Sequence, residues 1–145
     1  MTLDALLAFA GRHLFLSLAF AGLTLALLGN LLAGLFGASR ALTPAALTAL
    51  VNRENALVVD LRPIADFEKG HIAGSRNVQP SQFDPEHKAL AAAKSLPVVL
   101  VCKAGQDSSA AAQRLRKAGF EQVYVLDGGI GAWQRADLPL ARGRA

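Results

Sequence analysis

From Leu14 to Ser39 the chain carries no charged side chain, and the 26 residues LFLSLAFAGLTLALLGNLLAGLFGAS are mostly Leu, Ala, Phe and Gly. As a helix, at about 1.5 Å per residue, they reach roughly 39 Å, more than the roughly 30 Å of a bilayer's hydrocarbon core. The run therefore spans a membrane with some tilt. A cleaved secretory signal is the competing reading, but its apolar region is only about 7–15 residues long. A buried helix of a soluble domain is a weaker alternative, because the rest of the chain is too small to cover it on every face. The 145 residues thus divide into an N-terminal transmembrane anchor, residues 1–40, and one domain, residues 41–145.

Within the apolar run, Gly22, Ala26 and Gly29 recur at helical spacing, as do Gly29, Ala33 and Gly37. A small-residue face of this kind lets helices approach closely, which predicts a homodimer or docking on a membrane-protein partner. Gly and Ala are also simply common in membrane helices, and the spacing alone leaves both readings open. Asn30 adds a potential interhelical hydrogen bond. The charges flanking the run, Asp4 and Arg12 before it and Arg40 and Arg53 after it, are too balanced to fix orientation.

Beyond the anchor there are 13 Lys/Arg against 10 Asp/Glu, a mildly basic balance. Arg114, Arg116 and Lys117 fall on one predicted helix, and Arg142 and Arg144 lie near the end of the chain. They read either as an ordinary solvated face or as an attraction to anionic headgroups. No basic stripe interleaved with aromatics is present, so nucleic acid is not an expected partner. The single cysteine, Cys102, cannot form an internal disulfide. A lone thiol that must be resupplied by outside reducing thiols favours a cytoplasmic domain on a single-pass inner-membrane protein.

Thr43-Pro44 opens a helix through about Asn52. Ala56 to Asp60 reads as a buried strand, Asp84-Pro85 as the cap of a helix over residues 86–96, and Val98 to Cys102 as a second strand. An Ala-rich helix from Ser108 to Ala118, a strand from Gln122 to Leu126, and Asp127-Gly128-Gly129 turning into a helix with Trp133 complete the pattern. Strands alternating with helices predict an α/β fold, a parallel sheet covered on both faces. Ligands then bind outside the carboxyl ends of the strands, where Asp60, Cys102 and Asp127 all fall.

Cys102 ends the apolar run Val98-Val99-Leu100-Val101 and is followed by Lys103-Ala104-Gly105-Gln106-Asp107-Ser108 and a helix. A strand–loop–helix junction turns unpaired amides and the positive helix end towards the loop, a field that favours an anionic sulfur. The alternative is a buried structural cysteine. The small, polar loop favours the reactive reading.

Taken in order, Val58-Val59-Asp60-Leu61-Arg62, the segment FEKGHIAGSRN from Phe67 to Asn77, the Cys102 loop, and Val125-Leu126-Asp127-Gly128-Gly129 through Trp133 to Leu138-Pro139 resemble the rhodanese-like family. The resemblance covers nearly all of residues 43–140 and implies a parallel sheet flanked by helices. It further implies a loop cysteine that takes up sulfane sulfur from a donor and passes it to a thiol acceptor, with no metal and no cofactor. On that reading Cys102 is the nucleophile and Lys103 to Ser108 supply backbone N–H groups to the persulfide. Lys103 offers a cation to an anionic donor or is merely a solvated loop lysine. Arg62 pairs with Asp60 to organise the loops at the strand end, and Arg62 also faces the substrate. His71, Gly128, Gly129 and Trp133 serve as structural support.

One position departs from the family pattern Cys-x-x-Gly-x-Arg: Asp107 stands where a basic residue is common. An aspartate there repels a divalent donor, so poor use of thiosulfate is expected; it also suits the cap of a helix starting near Ser108. The second function class is a non-catalytic rhodanese-like module that binds a partner at the membrane. A phosphatase or arsenate reductase is excluded, because the arginine such enzymes need after five loop residues is Ser108 here.

Overall fold

A computed structural model describes residues 2–37 and 39–144, with residues 33–37 as backbone only. They form two compact units, divided between residues 38 and 39. In the first, α1 (Leu3–Arg12) ends where His13 leaves helical geometry (φ −123°, ψ 51°), and α2 (Leu14–Gly37) follows. The span Leu14–Leu32 has a mean hydropathy of 2.0, and none of it is buried. One N-terminal helix is therefore long and apolar enough to cross a bilayer. Ala33 and Gly37, two of the five positions singled out for close helix approach, lie outside the residues whose side chains are described.

The second unit is a five-stranded, wholly parallel sheet in the order β1-β5-β4-β2-β3. Its strands are β1 (Arg40–Leu42), β2 (Leu57–Asp60), β3 (Arg76–Asn77), β4 (Val98–Val101) and β5 (Val123–Leu126). The connecting helices are α3 (Pro44–Glu54), α4 (Ile64–Lys69), α5 (Lys88–Ala91), α6 (Gln106–Lys117) and α7 (Gly129–Arg135). The α/β expectation holds. Thr43 caps α3 by accepting from the Ala46 amide at 3.2 Å, with Pro44 at the first helical position.

β4 lies at the centre of the sheet, and all four of its residues are buried. Because successive strand side chains alternate, Val98, Leu100 and Cys102 face one side, with Leu90, Ala112 and Leu115. Val99 and Val101 face the other, with Leu47, Ile130 and Trp133. Two apolar layers thus cover the sheet, as a βα-built domain requires.

Three local expectations need correction. Residues 40–42, for which the sequence pattern predicts no element, form β1 and pair with β5. The helix expected over 86–96 is α-helical only at Lys88–Ala91 and capped by His87; Asp84 instead accepts from the Glu86 amide in a turn. Beyond it the chain continues in tight turns, with Ala93 N–H on Leu90 O and Leu96 N–H on Ala93 O, which carry Ala93 into the core. Finally, α6 starts at Gln106, and its cap is Gly105 in the left-handed region (φ +98°). Asp107 is therefore not the cap but part of the first turn, where its charge still faces the positive helix end.

Candidate active site

β2, β4 and β5 are neighbours, and their carboxyl ends deliver Asp60, Cys102 and Asp127 to one edge of the sheet. Cys102 is 2% exposed and continues the alternation of β4 into the α6 side of the core. Its Sγ accepts the Gly105 amide at 2.8 Å. The sequence posed a buried cysteine and a loop-held one as alternatives; the structure combines them. The side chain is packed along its carbon, while the sulfur turns to the backbone in front of a twelve-residue helix.

Around it, Lys103, Ala104, Gln106 and Asp107 are exposed. By helix geometry, the amides from Gly105 to Ser108 have no acceptor inside α6. Ser108 is fully buried, and its hydroxyl has no hydrogen-bond partner among the described residues. A thiolate or persulfide is the kind of group such a turn stabilises, since N–H donors and the helix field both favour negative charge. Asp107 points along a different margin, lining a cleft of about 170 Å³ with Pro80, Phe83 and Arg114.

The loop is held from the β5 side. The Cys102 carbonyl accepts the Ile130 amide at 2.9 Å. Gly128 and Gly129 both lie in the left-handed region (φ +71° and +60°). A Cβ on Gly129 would overlap the Cys102 carbonyl oxygen and lie 2.7 Å from the Lys103 carbonyl carbon. Only glycine lets the β5–α7 turn lie this close to the cysteine peptide.

From the β2 side, the buried Asp60 and Arg62 form a two-pronged pair, with Nη2–Oδ2 at 2.7 Å and Nε–Oδ1 at 3.0 Å. Arg62 Nη2 also donates to Gly70 O at 2.8 Å. Its guanidinium is thus largely committed to the fold, although Arg62 borders a groove shared with Lys103. Asn77, which the sequence reading did not single out, donates to the carbonyls of Asp60 and Arg62 at 3.1 and 2.8 Å. Its only signal was its place at the end of the FEKGHIAGSRN segment.

His71 is buried and stacks on Phe67, with ring centroids 3.8 Å apart, and its Nδ1 donates to Phe67 O at 2.9 Å. Trp133 is buried on the opposite face from Cys102 and donates to Pro139 O at 3.0 Å. Neither ring is among the groups gathered at the sulfur.

The rhodanese-like domain family matches residues 43–136. Escherichia coli YibN, described as an uncharacterized protein, is 40% identical over 143 residues, covering 98% of this chain and all of that one. The thiosulfate sulfurtransferase GlpE of Pseudoalteromonas translucida is 34% identical over 87 residues, 60% of this chain and 81% of its own. A crystal structure of a rhodanese-related protein from Thermoplasma volcanium has the same fold, with a TM-score of 0.61 at 24% identity over 70% of this chain and 97% of that one. Since the match takes in strands β2 to β5, the cysteine loop and the glycine turn packed against it, the chain belongs to the rhodanese-like domain family.

Proposed function

We propose that the chain is a membrane-anchored sulfurtransferase or persulfide carrier in which Cys102 moves sulfane sulfur to a thiol acceptor. The observation that supports this reading is the Gly105 amide on Cys102 Sγ at the mouth of α6. In the first step the Cys102 thiolate attacks the outer sulfur of a donor. A Cys102 S–S bond forms, the donor's bond to that sulfur breaks, and the donor leaves with the electron pair, as sulfite from thiosulfate or as a thiolate from a persulfide. In the second step an acceptor thiolate attacks the outer sulfur and Cys102 is released as thiolate. Atoms and charge balance in both steps, and no outside oxidant is needed.

In this reading the exposed apolar helix α2 acts as the anchor. The domain, whose sheet begins with β1 at Arg40, faces the cytoplasm of a bacterial inner membrane, where acceptor thiols stay reduced. The face through Gly29, Ala33 and Gly37 serves a homodimer or a membrane-protein partner. Recovery of the intact chain in the membrane fraction after alkaline extraction is the expected result; a shortened, soluble form would identify α2 as a cleaved signal.

Sulfur chemistry is tested by incubating the full-length chain with polysulfide or thiosulfate and weighing the Cys102 peptide. A gain of about 32 Da, absent in Cys102→Ser, is expected, and it is more complete with polysulfide than with thiosulfate. Asp107→Arg is expected to raise the thiosulfate rate about tenfold, because the exposed carboxylate beside the loop opposes approach of a dianion. No adduct with any donor would leave a partner-binding module in place of a carrier.

A further inference from the structure

Beside the cysteine loop runs an open groove of about 770 Å³, lined in part by Lys103 and Ala104. Its opposite wall is an extended strap after α7. Alternation along that strap places Leu138, Leu140 and Arg142 on the groove, while the intervening residues fasten it to the domain. Pro139 O accepts from Trp133, Ala141 exchanges two backbone bonds with His71 at 2.8 and 2.9 Å, and the Gly143 amide reaches Glu68 O at 2.9 Å. Gly70 leaves room for Leu140, whose Cδ1 would stand 3.1 Å from any Cβ there. The wall is therefore formed before any ligand arrives, which lowers the ordering cost of binding.

The groove has an apolar strip, Ile130, Leu138 and Leu140, and a cationic rim, Lys69, Lys103 and Arg142. All three rim residues are exposed. Asp66 also lines it and sits 3.5 Å from Lys69, and the fourth cation, Arg62, is already neutralised by Asp60. A net positive rim remains in a domain that is otherwise close to charge balance. An apolar centre with a charged rim is the anatomy of a protein-docking surface, and its sign selects the partner.

We propose that this groove docks an acidic, cysteine-bearing segment of a partner protein and brings that thiol alongside Cys102. This deepens the sulfur-transfer reading, because it names the class of donor or acceptor. The same sign explains how the chain tolerates Asp107: the charge that attracts the partner lies on the Lys103 side of the loop, away from the cleft that Asp107 lines.

The test uses the full-length chain in a zwitterionic detergent and fluorescence anisotropy. One probe is a labelled ten-residue peptide carrying four Asp or Glu, two Leu and a Ser in the cysteine position; a second replaces each acid with Lys. The acidic peptide is expected to bind at least ten times more tightly than the basic one and to weaken as salt is raised. Lys69→Glu combined with Arg142→Glu is expected to lower its affinity at least tenfold. Equal binding of the two peptides, or no loss in the double variant, would overturn the groove, as would displacement of the peptide by equimolar glutathione, which would mark a small-molecule site. Polysulfide loading of Cys102 without acidic-peptide binding sinks this proposal alone. Peptide binding without loading upholds the groove and sinks the sulfur-transfer reading.

Discussion

Gly129→Ala is expected to destabilise the domain by about 2–4 kcal/mol and to cut sulfur loading at Cys102 at least tenfold. Two effects add. At φ +60° an alanine resists the left-handed conformation at a cost of about 1 kcal/mol. Its methyl would also meet the Cys102 carbonyl oxygen and the carbonyl group of Lys103, all backbone atoms with no rotamer to escape into. Relief requires the β5–α7 turn to move away, which lengthens the 2.9 Å bond from the Ile130 amide to Cys102 O and releases the loop. Gly74→Ala is the control. Gly74 has φ +78° and nothing within 4 Å of its would-be Cβ, so only the conformational cost applies. Urea unfolding of both variants, with loading measured on the folded protein, decides the matter. Equal losses in the two would show that contact between the turn and the cysteine peptide contributes nothing.

That contact also marks where sequence reasoning stops. β2, β4 and β5 were legible because a parallel strand buried on both faces becomes a short apolar run, as in Val98 to Val101. Cys102 was legible because the run ends abruptly in a small polar loop. β1 was not: Arg40–Leu42 is an edge strand whose identity comes from backbone pairing with Tyr124 to Leu126 rather than from its own side chains. α5 shows the opposite failure, an Ala-rich segment whose helix propensity over 86–96 is overridden once Leu90 and Ala93 are drawn into the core. Gly128 and Gly129 announced a turn, but that the turn lies against the Cys102 peptide depends on β4 and β5 being neighbours, a long-range fact. The strap from Leu138 to Arg144, interrupted by Pro139 and Gly143, did not read as an element, and its alternation acquires meaning only through the bridge between His71 and Ala141.

The second large effect is expected at Asp60. Its carboxylate is 1% exposed and holds an arginine that is 8% exposed, and Oδ1 also accepts the Arg62 amide at 3.0 Å. Asp60→Leu leaves a buried guanidinium with Gly70 O as its remaining acceptor among the described residues, and breaking a buried pair from one side costs about 3–5 kcal/mol. Arg62→Leu strands the carboxylate at a similar cost. In the double variant both charges are gone and their desolvation with them, so the loss is expected to be smaller than for either single change; the lost bonds to Gly70 O and the Arg62 amide keep it from vanishing. Additive losses in this double-mutant cycle would show that the two side chains are not energetically coupled. The same cycle separates two roles for Arg62. Leu61 N–H donates to Val101 O at 2.8 Å, one residue before the cysteine, so a pair that only frames the strand ends leaves loading intact in the folded double variant. If Arg62 instead receives the sulfur donor across the groove it shares with Lys103, the double variant recovers stability and still fails to load, a split that a purely structural pair cannot produce.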